Sequence, residues 1–333
     1  MKIGIMTYAD PAALAKKAEE LGFDVLWAPD QSTTPVHIAP ANTAYRMHLE
    51  PDGMPQQLYL EGLFDPFIAL ARASAVTTKI TLATGVISIP NHNPIRLAKQ
   101  VATLDNFSGG RFIFGIGGGW LREETEIMGG DYDHRWGQTR EAILAMKELW
   151  TKDEAEFHGK YYDFPPVIAF PKPLQQPHPP IYIGAFTTGN VFRRIVTYGN
   201  GWMPWLLTPE QVRDGRAMLD KLAPEFGRDP RSIEVVAAPV AAEPDVIKQY
   251  EDAGANGVVH RGGCPWVLDR VSREEEARFQ CSHPKFKCGD SMVRSGTGWT
   301  RLLLMKFWLP ISDFAVHLGQ RKSASPAFWS TCA

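Results

Sequence analysis

Arg111-Phe112-Ile113-Phe114-Gly115-Ile116-Gly117-Gly118-Gly119-Trp120 is an apolar run that ends in a cluster of glycines. Arg111–Phe114 reads as a buried parallel strand, because it is apolar on consecutive positions rather than on alternate ones. Four glycines, at 115, 117, 118 and 119, then crowd the strand's exit. A turn without Cβ atoms lets backbone N–H groups converge on one point and lets an anion come close. Barrels and open α/β sheets hold phosphates in this way, at the carboxyl ends of their strands. No Gly-Lys-Ser/Thr follows, so the stretch is not a P-loop, and Trp120 stands where a dinucleotide fingerprint needs its third glycine. The alternative without a ligand is a tight strand-to-loop turn.

Outward from this stretch, strand-like and helix-like segments alternate. Strands are expected at Ile3–Thr7, Val25–Ala28, Ile80–Val86, Arg111–Gly115, Ile181–Gly184, Gly201–Met203, Ile233–Ala237 and Gly257–Val259. Several helices open on one device, a capping residue followed by proline at the first helical position: Asp10-Pro11, Asp65-Pro66, Asn93-Pro94, Thr208-Pro209 and Glu243-Pro244. Thr208 and Gln211 add a capping box. Eight strands separated by helices predict a parallel sheet closed into an α/β (β/α)8 TIM barrel, with an open doubly wound sheet as the rival. Two insertions interrupt the repeat. Gln31–Phe64 is a proline-rich excursion after the second strand, and Ala155–Tyr162 reads as a small hairpin turning at Gly159. The alternation fades near Arg261. The domain reading is therefore a barrel over 1–265 and an atypical C-terminal segment over 266–333. That segment could begin with an eighth helix at Val267–Phe279, and it continues either as a divergent extension or as coding sequence read out of frame.

Composition narrows the function. The 333 residues are 44% hydrophobic and 22% charged, with a formal net charge of −2, which fits a soluble globular protein. No basic excess points to nucleic acid. No apolar run reaches membrane-spanning length, since Leu302–Val316 is broken by Lys306 and Asp313. Lys2-Ile3-Gly4-Ile5-Met6 enters a strand at once, so no secretory signal is expected and the cytoplasm is the expected location. Cys264, Cys281, Cys288 and Cys332 fit neither a zinc site nor a thioredoxin motif and read as free thiols. His37, His48 and His92 lack ligand spacing, so no metal site is expected, and no Gly-x-Ser-x-Gly elbow supports a hydrolase.

Several stretches together resemble the bacterial luciferase-like flavin and deazaflavin oxidoreductases, within them the group expected to use coenzyme F420. They are Leu21-Gly22-Phe23-Asp24-Val25-Leu26-Trp27, Leu82-Ala83-Thr84-Gly85-Val86, Asn93-Pro94-Ile95-Arg96-Leu97-Ala98-Lys99-Gln100, Ala102–Phe112, the glycine stretch, Glu156–Phe164 and Pro179-Pro180-Ile181-Tyr182-Ile183-Gly184. The resemblance spans roughly residues 1–260. It implies a luciferase-like barrel with a ring system in its mouth, a phosphate held by rim loops, a small-molecule substrate and a homodimer. It also implies a bulge with a non-prolyl cis peptide on the third strand, at Gly85-Val86, behind the ring. The phosphate side maps onto Gly117, Gly118 and Gly119 and onto the loop after Ile181–Gly184, where Thr187 and Thr188 are candidates; both are equally explicable as helix caps.

The cofactor would carry the hydride, leaving positioning and electrostatics to the protein. Related deazaflavin dehydrogenases often place an acidic residue and then a basic histidine at the second strand's exit. Here the pair is Asp30-Gln31, and Gln31 cannot ionise. Asp30 remains a candidate for a hydrogen bond to the ring or a proton relay, with a structural role as the alternative. Trp120 sits where one sugar-phosphate dehydrogenase subgroup has a catalytic acid; an indole offers one N–H donor and no acid function, so that subgroup's mechanism is not expected. Trp120 could wall the pocket or pack in the core. His92 and Asn93 follow the third strand and could contact the ring; Asn93 is equally a helix cap. Arg135 and Arg140 read as solvated helix residues, with an acidic cofactor tail as the alternative partner. The leading expectation is an F420-dependent oxidoreductase. The alternatives are an FMN-dependent luciferase-like monooxygenase and a barrel that binds a phospholigand without redox chemistry.

Overall fold

In the computed structural model of the protein, β1 (Lys2–Met6) pairs in parallel with its neighbour β2 (Val25–Ala28) and, from the far end of the repeat, with β11 (Gly257–Arg261). The structure describes residues 1–7, 11–35, 38, 63–187, 190–261, 291–295 and 298–302. Between β2 and β11 the chain lays down β3 (Thr81–Thr84), β4 (Ile87–Ser88), β5 (Phe112–Gly117), β6 (Ala155–His158), β7 (Asp163–Val167), β8 (Ile181–Gly184), β9 (Gly201–Met203) and β10 (Glu234–Ala237). The ring runs β1-β2-β3-β5-β8-β9-β10-β11 and back to β1, with every pairing parallel. It is a closed (β/α)8 barrel, so the open doubly wound sheet is excluded. β6 and β7 form the expected antiparallel hairpin outside the ring.

Strand alternation builds two apolar layers. Met6, Val25, Trp27, Ala83, Ile113, Tyr182, Met203, Val236 and Val259 point into the barrel and fill it, as the interior of a small barrel requires. Ile5, Leu26, Leu82, Phe112, Phe114, Ile183, Val235 and Val258 point outward beneath the helices. Complete burial of a side chain such as Leu26 stabilises by about 1.5–3 kcal/mol. The covering helices are α1 (Pro11–Glu20), α2 (Pro66–Ser74), α3 (Pro94–Phe107), α4 (Arg122–Ile127), α5 (Arg135–Thr151), α6 (Val191–Tyr198), α7 (Pro209–Leu222) and α8 (Pro244–Asp252).

The proline starts hold with one exception. Asp65 accepts from Ile68 N, and Asn93 accepts from Ile95 N and Arg96 N. Thr208 and Gln211 make the capping box. Glu243 precedes Pro244 but makes no side-chain cap; glutamate is not among the short side chains that cap well. Asp10 lies outside the described residues.

Two strand ends differ from expectation. The third strand is not continuous over Ile80–Val86. It stops at Thr84, the Gly85–Val86 peptide is cis, and pairing to β5 resumes at Ile87 as β4. In the gap Thr84 Oγ1 accepts from Gly115 N at 2.9 Å and donates to Gly115 O at 2.8 Å, so a side chain stands in for the broken ladder. The fifth strand extends past Gly115 to Gly117, which leaves the turn itself to Gly118 and Gly119.

The chain divides into two compact units, Met1–Phe279 and Gln280–Ala333. In the second, β12 (Ser291–Ser295) and β13 (Gly298–Leu302) form an antiparallel hairpin. The helix expected at Val267–Phe279, the four cysteines and most of the Gln31–Phe64 excursion lie outside the described residues. No helix among the described residues is long and apolar enough to cross a membrane.

Candidate active site

The barrel's carboxyl-end rim opens into a cavity with about 200 Å³ of room for the centres of water-sized atoms. Met6, Pro29 and Asp30 line it from the first two strands, and Gly85, Val86 and Ser88 from the third. Gly117, Gly118, Gly119 and Trp120 line it from the fifth strand, Gly184, Ala185 and Phe186 from β8, and Met203 and Trp205 from β9. Arg135 and Trp136 at the start of α5, with Val191 and Arg194 of α6, close its outer side.

One end of this cavity is a cationic cradle. A Cβ on Gly118 would lie 2.9 Å from the Trp136 ring, and Gly119 has φ +85°, so a side chain is excluded at the first and strained at the second. Arg135 lies over the Tyr132 ring at 4.0 Å and donates to Tyr132 O at 2.8 Å. Its Nε is buried without a hydrogen-bond partner. Arg194 lies over the Trp136 ring at 4.4 Å. Burial lowers the pKa of Arg194 below its usual value and the charge of Arg135 adds to that, against the opposing influence of Tyr198. Among the described residues neither arginine is in a salt bridge. Arg135 is the first residue of its helix, and Arg194 stands in the first half of α6. Cations there oppose the helix dipole. Two half-buried cations, an unsatisfied donor and a turn free of side chains fit a phosphate group.

The other end carries a titratable pair. Asp30, 5% exposed, brings Oδ2 to 3.1 Å from His92 Nε2 and accepts from Ser88 N at 3.1 Å. Burial alone would lower the His92 pKa. The hydrogen bond to Asp30 and the charges of Asp30, Asp65 and Glu124 outweigh it, and the net shift is upward. Glu124 is 2% exposed. Its Oε1 accepts from Ser32 N at 2.8 Å and Thr33 N at 3.2 Å, which ties the start of the excursion to α4. Burial raises the Glu124 pKa and the Asp30 charge adds to this, against the bonds from Thr33, Ser32 and Asn91. Above the pair, Trp120 Nε1 donates to Gln31 Oε1 at 3.1 Å, and Gln31 Nε2 donates to Thr33 O at 2.8 Å.

The fold therefore brings together Asp30, Gly85, Val86, Gly117, Gly118, Gly119 and Trp120 on one cavity. His92 is not on the lining and meets the cavity through Asp30. Asn93 is placed elsewhere: it is exposed and its oxygen is engaged in capping α3. Thr187 is half-buried and is not among the lining residues, whereas Gly184, Ala185 and Phe186 just before it are. Thr188 lies outside the described residues. Arg135 faces the cavity rather than solvent, and Arg140 is exposed. Sequence reading missed Arg194, Trp136 and Glu124. The signal for Arg194 was a charge inside the otherwise apolar spacing of Val191, Phe192, Ile195 and Val196.

A closed barrel whose rim cavity carries a cationic glycine turn at one end and a buried carboxylate at the other has the make-up of a cofactor-dependent (β/α)8 enzyme. Residues 2–253 match the family described as luciferase-like monooxygenase, and the chain belongs to that family; it is a luciferase-like oxidoreductase, a class whose members use F420 or FMN. An uncharacterized protein of Mycobacterium tuberculosis is 36% identical over 280 residues, covering 84% of this chain and 94% of the relative. Two solved structures share the fold. The coenzyme F420-dependent tetrahydromethanopterin reductase of Methanopyrus kandleri has a TM-score of 0.62 at 18% identity, over 84% of this chain and 99% of that one. The monooxygenase RslO1 of Streptomyces bottropensis has a TM-score of 0.59 at 22% identity, over 84% and 80%.

Proposed function

We propose that the protein is an F420-dependent oxidoreductase that moves hydride between the deazaflavin and a small organic substrate. The observation that carries this reading is the Asp30–His92 pair opening on the same cavity as the Arg135–Arg194 cradle. Bound deazaflavin would supply the hydride-accepting or hydride-donating carbon. Gly117, Gly118, Gly119, Arg135 and Arg194 would hold its phosphate. Gly85 and Val86 would back the ring, and Trp136 would flank the anion with its face.

With a bound deazaflavin to take the hydride and both electrons, oxidation of a carbinol carbon would break its C–H bond and leave one proton to be removed from the hydroxyl. Asp30 receives that proton, because it is the carboxylate among the residues that line the cavity. His92 bonds Asp30 Oδ2 and is 21% exposed, so it passes the proton to water. In the reverse direction the pair supplies the proton. General acid–base assistance of this kind is worth about 10²–10⁴ in rate.

An FMN-dependent monooxygenase is the second reading, favoured by the fold likeness to RslO1 and by a cradle that suits a phosphate monoester as well. Equilibrium binding of each cofactor, followed by oxygen uptake, separates the two. F420 binding without FMN binding supports the first; stable FMN with oxygen consumption overturns it.

A further inference from the structure

Gln31 follows β2 and Trp120 follows β5, two strands apart on the rim; one hydrogen bond joins them, and neither side chain can ionise near neutral pH. Both are fixed from a second direction. The Gln31 amide donates to Thr33 O, while Tyr132 OH donates to Trp120 O at 3.3 Å. Glu124 holds Ser32 N and Thr33 N from below. Beside Asp30 the cavity is lined by Ser88, whose N–H bonds Asp30, and by the apolar Met6, Pro29 and Trp120. This end carries two buried carboxylates, Asp30 and Glu124, and among the described residues His92 is the cation paired with them. A guest anion would lose its water against those carboxylates, and the arginines that could neutralise it belong to the cradle. A guest cation would have to compete with His92 for Asp30.

We propose that Trp120, held by its hydrogen bond to Gln31 behind it, is the substrate-facing wall of this cavity, and that the site takes an uncharged molecule with a flat apolar face. The proposal rests on the reading of the cavity as a hydride-transfer site and adds the substrate class. Trp120 offers a flat apolar surface, and Asp30 offers one acceptor for a hydroxyl. A half-buried wall of this kind, beside the buried carboxylate of Asp30, discriminates charge more sharply than size, because a charge placed there loses water without gaining a partner.

Benzyl alcohol, benzylamine and benzoate share one ring and differ in charge, so they are suitable probes. Calorimetric titration of each is run on the full chain loaded with F420 and on the chain without cofactor. The expected result is that benzyl alcohol binds the loaded protein at least about tenfold more tightly than either charged probe. Trp120→Ala should weaken benzyl alcohol about tenfold. Gln31→Glu keeps the acceptor for the indole and adds a charge, so it should weaken benzoate further and strengthen benzylamine by about threefold. Benzoate or benzylamine binding as tightly as benzyl alcohol would overturn the proposal, as would unchanged benzyl alcohol binding in Trp120→Ala. If Trp120→Ala does not fold, the Gln31→Glu arm decides. Failure to load F420 counts against the cofactor reading alone, since the ranking of the probes is read by heat in either preparation.

Discussion

The two ends of the cavity are built by opposite means. The cradle end is built on a glycine turn after β5 and on the exit of β8, with two arginines leaning in over aromatic rings. The proton end turns on three side chains, Asp30, His92 and Glu124, and the two carboxylates also hold backbone N–H groups of β4 and of the segment after β2. Backbone donors cannot be lost by point substitution, only obstructed. A side-chain cluster can be dismantled one group at a time. Damage at the cradle should therefore appear in binding, and damage at the proton end in turnover.

The largest effect is expected from Asp30→Asn. It removes the carboxylate that takes the proton while retaining an oxygen for Ser88 N and His92. We expect turnover to fall by about 10²–10⁴ with cofactor affinity changed by less than about threefold. Stopped-flow reduction of bound F420, together with a cofactor titration, checks both halves. Comparable losses in both would erase the contrast between the ends. Next come Arg135→Ala and Arg194→Ala. Each removes a charge-assisted contact worth about 1.5–3 kcal/mol, or roughly a 10- to 150-fold loss of cofactor affinity. Turnover at saturating cofactor should be nearly unchanged. Gly118→Ala is smaller and tests obstruction directly. Its Cβ would sit 2.9 Å from the Trp136 ring, and a shift of that ring should cost about 1–3 kcal/mol in thermal stability and weaken the cofactor alongside.

The contrast also explains what could be read in advance. All eight barrel strands were legible, because apolar runs such as Val25–Ala28 and Ile181–Gly184 are contiguous and five of the eight covering helices described open on proline. The cradle's glycines were legible for the same reason. Its arginines were not. Arg194 follows Arg193, and only packing decides that Arg194 turns to Trp136 while Arg193 remains exposed. Glu124 was hidden in Arg122-Glu123-Glu124, where acidic residues in a first turn are expected simply to complement the helix dipole. Asn93 shows the reverse case: the capping geometry visible at Asn93-Pro94 accounts for it fully. The break in the third strand was legible only through the family resemblance, which implied a bulge and a cis peptide at Gly85-Val86; the apolar run Ile80–Val86 alone reads as one strand.

The smallest expected effect is a pH dependence, and its sign distinguishes the two ends once more. His92 is raised in the folded protein despite its burial, through Asp30 first and then through Asp65 and Glu124. A histidine with a raised pKa contributes stability that is fully present below its ordinary value of 6.5 and is lost as pH rises through the folded value. Wild type should therefore gain on His92→Gln below about pH 6.5 and lose that advantage on the alkaline side. The slope cannot exceed about 1.4 kcal/mol per pH unit for one proton. In Asp30→Asn the leading upward causes are gone while burial remains, so the same comparison made in that background should flatten. Urea unfolding of the four proteins between about pH 5 and 8 provides the measurement. A stability difference that grows with pH would mean that burial, not Asp30, governs His92, and the proton end would lose its relay.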